Sequence, residues 1–496
     1  MNERDEKTIV VSNAEPYKHV EGEGGCPTCE EVEGGLTTAM NPQMRETGGV
    51  WIAYGRGEKD FEVTNSSGEV PVPDFPGVPE KNKYTLKRLR FPSSQYENFY
   101  RGYANRILWP ICHSFPTKAD LQKEHQYWAE GYLPSNKEYA RAVIEIYEPG
   151  DTIWVHDYHL ALVPKLIRNE IPRAKIGVFW HIPWPPWENF GKIPRREQLL
   201  KGLAAADLVG LHLEKYAENL LRCAQEVGAE LNSGANRFKL GGDETQVGAY
   251  PLGVDYQFFD GTDTKGKEER IRGKYNYDYL IFGVDRQDYT KGIPERIRAF
   301  KEFIKSNPEY RENVGLIQRT PLSRTGIREY QLEKEKINRE VSEFNGKFGN
   351  HEWTPIHLFW GGVPQEKLIA EYRAADVALV TPGLDGMNLV AKEFVASNKD
   401  PKVLILSEFA GSSEELDGAL QVNPYDAQEV SYAVKEAIEM PGEEKEKRWR
   451  RLREKVKTQD LPTWSASFLS DLEGAHQLHS MKRLSFPQSE PKTRKS

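Results

Sequence analysis

The chain has 496 residues, enough for two or three domains, and its 38% hydrophobic and 11% aromatic content can fill real cores. Its formal net charge of -8 excludes a general attraction to nucleic acid or to an anionic membrane, so affinity for phosphate has to come from individually placed cations. No apolar run of the ~18 residues needed for a membrane span is present, and the start, MNERDEKTIVVSN, is charged ahead of a short strand, which predicts a soluble, cytoplasmic protein. Of the four cysteines only Cys26 and Cys29, in GGCPTCEE, are closely spaced; Cys112 and Cys223 supply no matching pair, so neither a metal nor a redox role is expected.

In chain order, Thr8 to Ser12 reads as a β-branched strand, and a glycine-rich stretch from Gly22 to Gly35 precedes a helix beginning near Leu36. That stretch is either a ligand loop or a surface loop. Trp51 to Tyr54 reads as a second strand, and Gly55 to Lys83, rich in Gly, Pro, Asn and Ser, as an irregular insertion. From Ser94 the spacing of Phe99, Tyr103 and Ile107 predicts a helix ending at Trp109-Pro110, with most aromatics in a core. Tyr100 and Trp109 stand out as amphipathic rings suited to stacking on a sugar face. Asp151 to Val155 is a buried strand ending in His156-Asp157-Tyr158-His159, and the strand from Lys175 ends at His181 before a Pro and Trp cluster. A lone buried histidine is usually a core residue, but repetition at successive strand ends favours a site.

The stretch AAADLVGL at Ala204 to Leu211 echoes RAADVALV at Arg373 to Val380, each a helix end running into a strand. The echo predicts an α/β protein of two doubly wound domains facing a cleft, divided between Gly248 and Asp260. The second half opens with strand Tyr279 to Val284 and the turn DRQDYTKG, where Arg286 and Lys291 precede a helix starting at Pro294. Cations at a helix start oppose its dipole unless an anion arrives, which points to a diphosphate; the alternative is pairing with Asp285 and Asp288. Strands follow at Val314 to Ile317, Ile356 to Trp360, Val377 to Val380 and Val403 to Leu406, with Arg324 a second anion ligand after a strand end. In LVTPGLDGMNLVAKEF, Asp385 and Glu393 flank a helix start and suit the hydroxyls of one extended ligand, such as a nucleotide sugar; alternatively Asp385 only caps the helix and Glu393 is a solvated charge. Helices at Ala427 to Glu439, Glu443 to Val456 and Trp464 to Leu478 close the chain before a tail from Lys482 whose composition predicts disorder.

The motifs WVHDYHL, HIPWPP, VDRQDYTKG, NGKFGNHEWTP, VTPGLDGMNLVAKE, LSEFAGSSEEL and VNPYD occur in this order, and with them the chain resembles the trehalose-6-phosphate synthase family of retaining glucosyltransferases. The resemblance implies a GT-B fold, with two Rossmann-like domains facing a central cleft. It implies an acceptor domain at 1–250, a nucleotide-sugar domain at 251–460, a C-terminal helix at 461–481 packing back across them and a disordered tail at 482–496. It also implies a synthase without a phosphatase domain, which transfers glucose from UDP-glucose to glucose 6-phosphate with no essential metal or other cofactor. Its partners are small-molecule substrates, without nucleic acid or membrane, and a homo-oligomer is left open.

Carried over by motif, Arg286 and Lys291 hold the donor diphosphate. Asp385 with the backbone of Gly386, Met387, Asn388 and Leu389 meets the sugar and phosphate, and Glu393 holds the ribose. His181 contacts the donor glucose, Gly34 and Gly35 belong to a mobile glycine loop on the donor, and Tyr100, Trp109, Asp157 and Arg324 position the acceptor; Arg286, Lys291, Asp157 and His181 form the catalytic set. Two positions depart from the family: Ala14 stands where an arginine helps hold the acceptor phosphate, and Leu384 stands where an arginine precedes DGMNLV. Lys18 or Arg45 is a candidate replacement for the first. The departures keep two alternatives in view, a glucosylglycerol-phosphate synthase using glycerol 3-phosphate and a catalytically silent sugar-phosphate sensor.

Overall fold

The computed structural model describes residues 6–32, 34–75, 78–275, 277–324 and 326–485. They form two compact units, one made of the chain up to Tyr250 and from Ser465 onward, the other of Pro251–Trp464.

The N-terminal unit contains strands β1 (Thr8–Val11), β2 (Tyr17–Glu21), β3 (Pro27–Glu31), β4 (Val50–Tyr54), β5 (Glu69–Val72), β6 (Tyr84–Leu89), β7 (Thr152–His156), β8 (Lys175–Phe179), β9 (Leu208–Leu211), β10 (Glu230–Asn232), β11 (Arg237–Leu240) and β12 (Asp243–Ala249). All but β2 and β3 join one 10-stranded sheet in the order β10-β11-β12-β9-β8-β7-β1-β4-β6-β5. The strands from β12 to β6 run parallel, and antiparallel pairing is confined to the edges. The inner strands are continuous apolar runs because helices cover both faces of a parallel sheet: Ile9 to Val11 and Ile153 to Val155 are wholly buried. The chain leaves β1 for β4 on one side and later resumes at β7 on the other, so the order reverses between β1 and β7. The carboxyl ends of strands beside such a reversal are where doubly wound sheets bind ligands.

From Ser465 onward, the helix Leu461–Ser485 completes this unit. Phe468 stacks on Trp154 with ring centroids 4.9 Å apart, and a Cβ on Gly177 or Gly210 would stand only 2.9 or 2.7 Å from its ring, so both glycines are needed to seat it. His476 and His479 on the same helix reach the buried Asp207 at 3.3 and 2.9 Å.

The second unit contains β13 (Tyr279–Val284), β14 (Val314–Thr320), β15 (Ile356–Trp360), β16 (Val377–Val380), β17 (Val403–Ser407) and β18 (Leu420–Val422), all parallel in the order β15-β14-β13-β16-β17-β18. This is the dinucleotide-binding strand order, with its reversal between β13 and β16. The internal echo has a physical cause. Asp207 before β9 and Asp376 before β16 do the same thing: each carboxylate accepts the N–H of the second residue of the neighbouring strand, from Ile176 at 2.8 Å and from Leu280 at 2.7 Å.

Three expectations are corrected and one alternative is excluded. The stretch from Gly22 contains β3, which carries Cys29 and pairs with β2 as a hairpin, opposing Cys29 to His19. The insertion at Gly55 to Lys83 contains β5, an edge strand on β6, which its prolines conceal from a sequence pattern. The last helix starts at Leu461 and runs to Ser485, past the expected Leu478 and into the expected tail, because Leu461 buries at its start and Phe468, Leu472 and Ala475 follow at helical spacing. Residues 486–496 of that tail lie outside the described residues. The helix after β16 begins at Leu389, and Asn388 rather than Asp385 caps it, through a 3.3 Å bond from the Ala391 N–H.

Candidate active site

In the C-terminal unit the turns after β13 and β16 are tied together. Gly383 N–H donates to Thr290 O at 2.8 Å, and Gly292, at φ 62°, lies so close to Thr381 that a Cβ would meet its carbonyl at 2.4 Å. Asp385 and Met387 are held from the other side, since Asp385 N–H donates to Phe409 O, Gly411 N–H to Asp385 O and Ser412 N–H to Met387 O at 2.7 Å. The DGMN turn is therefore fixed before any ligand arrives. Lys291 donates to Asp385, which also accepts from Asn388 Nδ2 at 3.0 Å. Neither expected alternative pairing forms: Asp285 is taken by Arg296 at 2.6 Å and Asp288 by Arg324 at 2.7 Å. Burial raises the Asp285 carboxyl against the pull of Arg296. Arg286 is exposed, and among the described residues no hydrogen bond or ion pair reaches its guanidinium. Glu393 accepts from Tyr372 Oη at 2.9 Å, so it is a positioned carboxylate rather than a solvated face charge.

In the N-terminal unit the ends of β1, β4, β7 and β8 meet at the reversal. His156 Nδ1 lies 3.0 Å from His181 Nε2, and His181 O is 3.1 Å from His212 Nε2. Burial pushes His181 down to about 4 and His156 well below its ordinary value, so both imidazoles are neutral near pH 7. For Asp157, burial alone would raise the carboxyl, but the hydrogen bond and charge of His159, 3.3 Å away, outweigh it and hold the group at about 2. Asp157 has φ 77° and ψ 164°, a region that costs a non-glycine residue about 1–3 kcal/mol. Asn388 and Arg324 also have positive φ, so three of the seven such non-glycine residues among those described are candidate site residues. Strain concentrated in this way is a mark of functional positions.

Tyr100 belongs to a stack of nearly parallel rings: Tyr54 on Tyr96 at 3.8 Å, Tyr96 on Tyr100 at 5.4 Å, and Tyr100 on His159 at 5.6 Å. The stack links the end of β4 to the end of β7. Trp109 is only 5% exposed, packed on His113 and Tyr158, so it forms a wall more than an open stacking face. Gly34 is extended and precedes the helix Gly35–Thr47, whose first turn is closed by Thr38 N–H on Gly34 O at 2.8 Å. The sequence reading misses Tyr54, Tyr96 and Arg56; the four-residue spacing of Tyr96 and Tyr100, one helical turn, is the signal that shows the first pair of rings.

The family model for glycosyltransferase family 20 matches residues 6–474. The chain belongs to glycosyltransferase family 20. Within the family it is 34% identical to the alpha,alpha-trehalose-phosphate synthase (UDP-forming) of Candida albicans, over 94% of this chain and 97% of that one. Its structure matches that of the E. coli protein bound with UDP-2-fluoro glucose, with TM-score 0.83 and 29% identity over 94% of this chain and 98% of that one. It likewise matches the Burkholderia xenovorans alpha,alpha-trehalose-phosphate synthase in complex with glucose 6-phosphate, with TM-score 0.82 and 29% identity over 94% and 100%. The family-20 fold of this chain is GT-B, built from the two parallel-sheet units described above, and its chemistry is glycosyl transfer from a nucleotide sugar.

Proposed function

We propose that this chain transfers glucose from UDP-glucose to glucose 6-phosphate with retention of anomeric configuration, giving trehalose 6-phosphate and UDP. The observation that carries the reading is the armed switch point of the C-terminal sheet. An unpaired Arg286 and a Lys291 shared with Asp385 stand where a sugar diphosphate would sit, on turns fixed in advance. The named relatives that bind UDP-2-fluoro glucose and glucose 6-phosphate support the choice of substrates.

In this reading Arg286 and Lys291 stabilise the negative charge that grows on the departing diphosphate, the largest single term available to such a site, and no metal is needed. Asp385, with backbone groups of Gly386, Met387, Asn388 and Leu389, orients the donor sugar, and Glu393, fixed by Tyr372, accepts ribose hydroxyls. Neutral His181 meets the donor glucose without adding charge, while Asp157, ionised at any working pH, orients acceptor hydroxyls. Tyr100 and the wall at Trp109 meet the acceptor ring, Arg324 contributes a cation preset by Asp288, and Gly34 and Gly35 approach the donor at a helix start. The departing phosphate accepts the acceptor's proton as the new bond forms on the same face.

The test is product formation by the purified protein from UDP-glucose with glucose 6-phosphate or glycerol 3-phosphate in separate reactions. Trehalose 6-phosphate with stoichiometric UDP is expected from the first. Product from glycerol 3-phosphate alone would replace the reading with the glucosylglycerol-phosphate alternative, and turnover with neither would replace it with the sensor.

A further inference from the structure

A cation at the end of β4 has no assigned work in the reaction. The chain leaves β4 as Tyr54-Gly55-Arg56, and the Arg56 backbone N–H donates to Glu15 Oε1 at 2.8 Å. That bond sets Arg56 beside Ala14, the position that lacks the arginine expected from the resemblance. Because β1 and β4 are paired neighbours, the two positions lie at adjacent strand ends next to the sheet's reversal. The Arg56 side chain is exposed, and among the described residues nothing forms a hydrogen bond or ion pair with its guanidinium.

Glu15 attracts the guanidinium through space but forms no ion pair with it among the described residues. Its Oε1 takes the Arg56 backbone, its Oε2 takes Arg88 Nε at 3.1 Å, and burial raises its carboxyl to about 7. The other ionisable groups acting on the guanidinium include the hydroxyl-bearing Tyr54, Tyr96, Tyr100 and Tyr139, the first three being members of the ring stack. The two alternatives near β1 are worse placed. Lys18 is paired with Glu30 at 2.9 Å on the hairpin, and Arg45 lies by Tyr17 and Tyr84 on the helix Gly35–Thr47. Arg56 also repeats a pattern found at the other sheet. Arg286 stands two residues past β13, exposed and unpaired, beside a buried carboxylate already engaged by a different arginine.

We propose that Arg56 binds the phosphate monoester of the acceptor, supplying from β4 the guanidinium that Ala14 does not supply from β1. The proposal rests on the acceptor reading given above. A guanidinium offers paired N–H donors to two phosphate oxygens, and the neighbouring tyrosine hydroxyls can donate to the third. The cation and the ring stack then divide the acceptor between them, charge at its phosphate and faces at its sugar.

The experiment compares wild type, Arg56→Ala, Arg56→Lys and the double variant Ala14→Arg/Arg56→Ala. Calorimetric binding of glucose 6-phosphate and of UDP is measured alongside KM and kcat. Loss of one charge-assisted contact predicts that Arg56→Ala weakens glucose 6-phosphate by about tenfold or more while UDP affinity stays within about twofold. Arg56→Lys should fall between, and the double variant should regain much of the loss. Turnover by wild type judges the reaction, and Arg56-dependent binding judges this site, so either can fail alone. Unchanged affinity for glucose 6-phosphate in Arg56→Ala, no such binding by wild type, or an equal loss of UDP binding would overturn the proposal.

Discussion

Both sheets reverse their strand order at a ligand-binding edge, yet they arm that edge in opposite ways. At β13 and β16 nearly every charge is matched in advance, Lys291 with Asp385, Arg324 with Asp288 and Asp285 with Arg296, leaving Arg286 as a free cation among the described residues. At β7 and β8 the imidazoles of His156 and His181 are kept neutral by burial, beside one ionised carboxylate, Asp157, and a run of stacked rings. The contrast follows from what each edge would meet. A departing diphosphate calls for fixed positive charge, while sugar hydroxyls call for donors, acceptors and flat faces without net charge. Two copies of one architecture thus diverge in the ionisation state of their strand ends and not in topology.

The largest effect should come from removing the free cation. Arg286→Ala is expected to lower kcat on the order of 10^3-fold with the KM for UDP-glucose changed by no more than about threefold. Steady-state kinetics with varied donor checks this, and equal losses in both constants would reduce Arg286 to an anchor. Next comes the matched pair: Asp385→Asn strands Lys291 without its carboxylate and removes a sugar ligand, so kcat/KM for UDP-glucose should fall by about a hundredfold. On the N-terminal sheet's edge, Tyr100→Leu interrupts the stack between Tyr96 and His159, and the acceptor KM should rise by up to about tenfold with the donor KM unaffected.

The smallest effect is a pH dependence. His181 is depressed to about 4 in the fold but titrates near 6.5 in the unfolded chain, so between those values the unfolded state binds the extra proton. Stability from this group is complete above 6.5 and falls as pH drops toward 4. Melting temperature should decline by a few degrees from pH 7 to 5, and less in His181→Gln. Asp157, depressed to about 2, acts in a lower window: its contribution is present above about 3.9 and lost on the way to 2.

How much of this was legible depends on whether a feature is local. Strand ends showed in the sequence because a buried apolar run stopped by His, Asp or Gly is a contiguous signal, and the paired aspartates Asp207 and Asp376 gave the echo its physical content. The edge strand β5 was hidden by Pro71 and Pro73, which only an edge tolerates, and the β2–β3 hairpin by its glycines. Partner choice was not legible at all. That Asp285 goes to Arg296 and not to Arg286, or that Lys18 is taken by Glu30 while Arg56 is left unpaired among the described residues, depends on which elements pack together.

The seat left for Phe468 by Gly177 and Gly210 sets an order of assembly during synthesis. On a chain emerging N-terminus first, β7 to β9 are made long before the part of the helix Leu461–Ser485 that follows Trp464, with the whole of Pro251–Trp464 in between. Until that helix arrives, Trp154 lacks the Phe468 ring that stacks on it and Asp207 lacks both imidazoles. The unit translated first is therefore the last to close, and the contiguous unit translated second can be finished while the first still waits with an open apolar face, the kind of surface that chaperones guard.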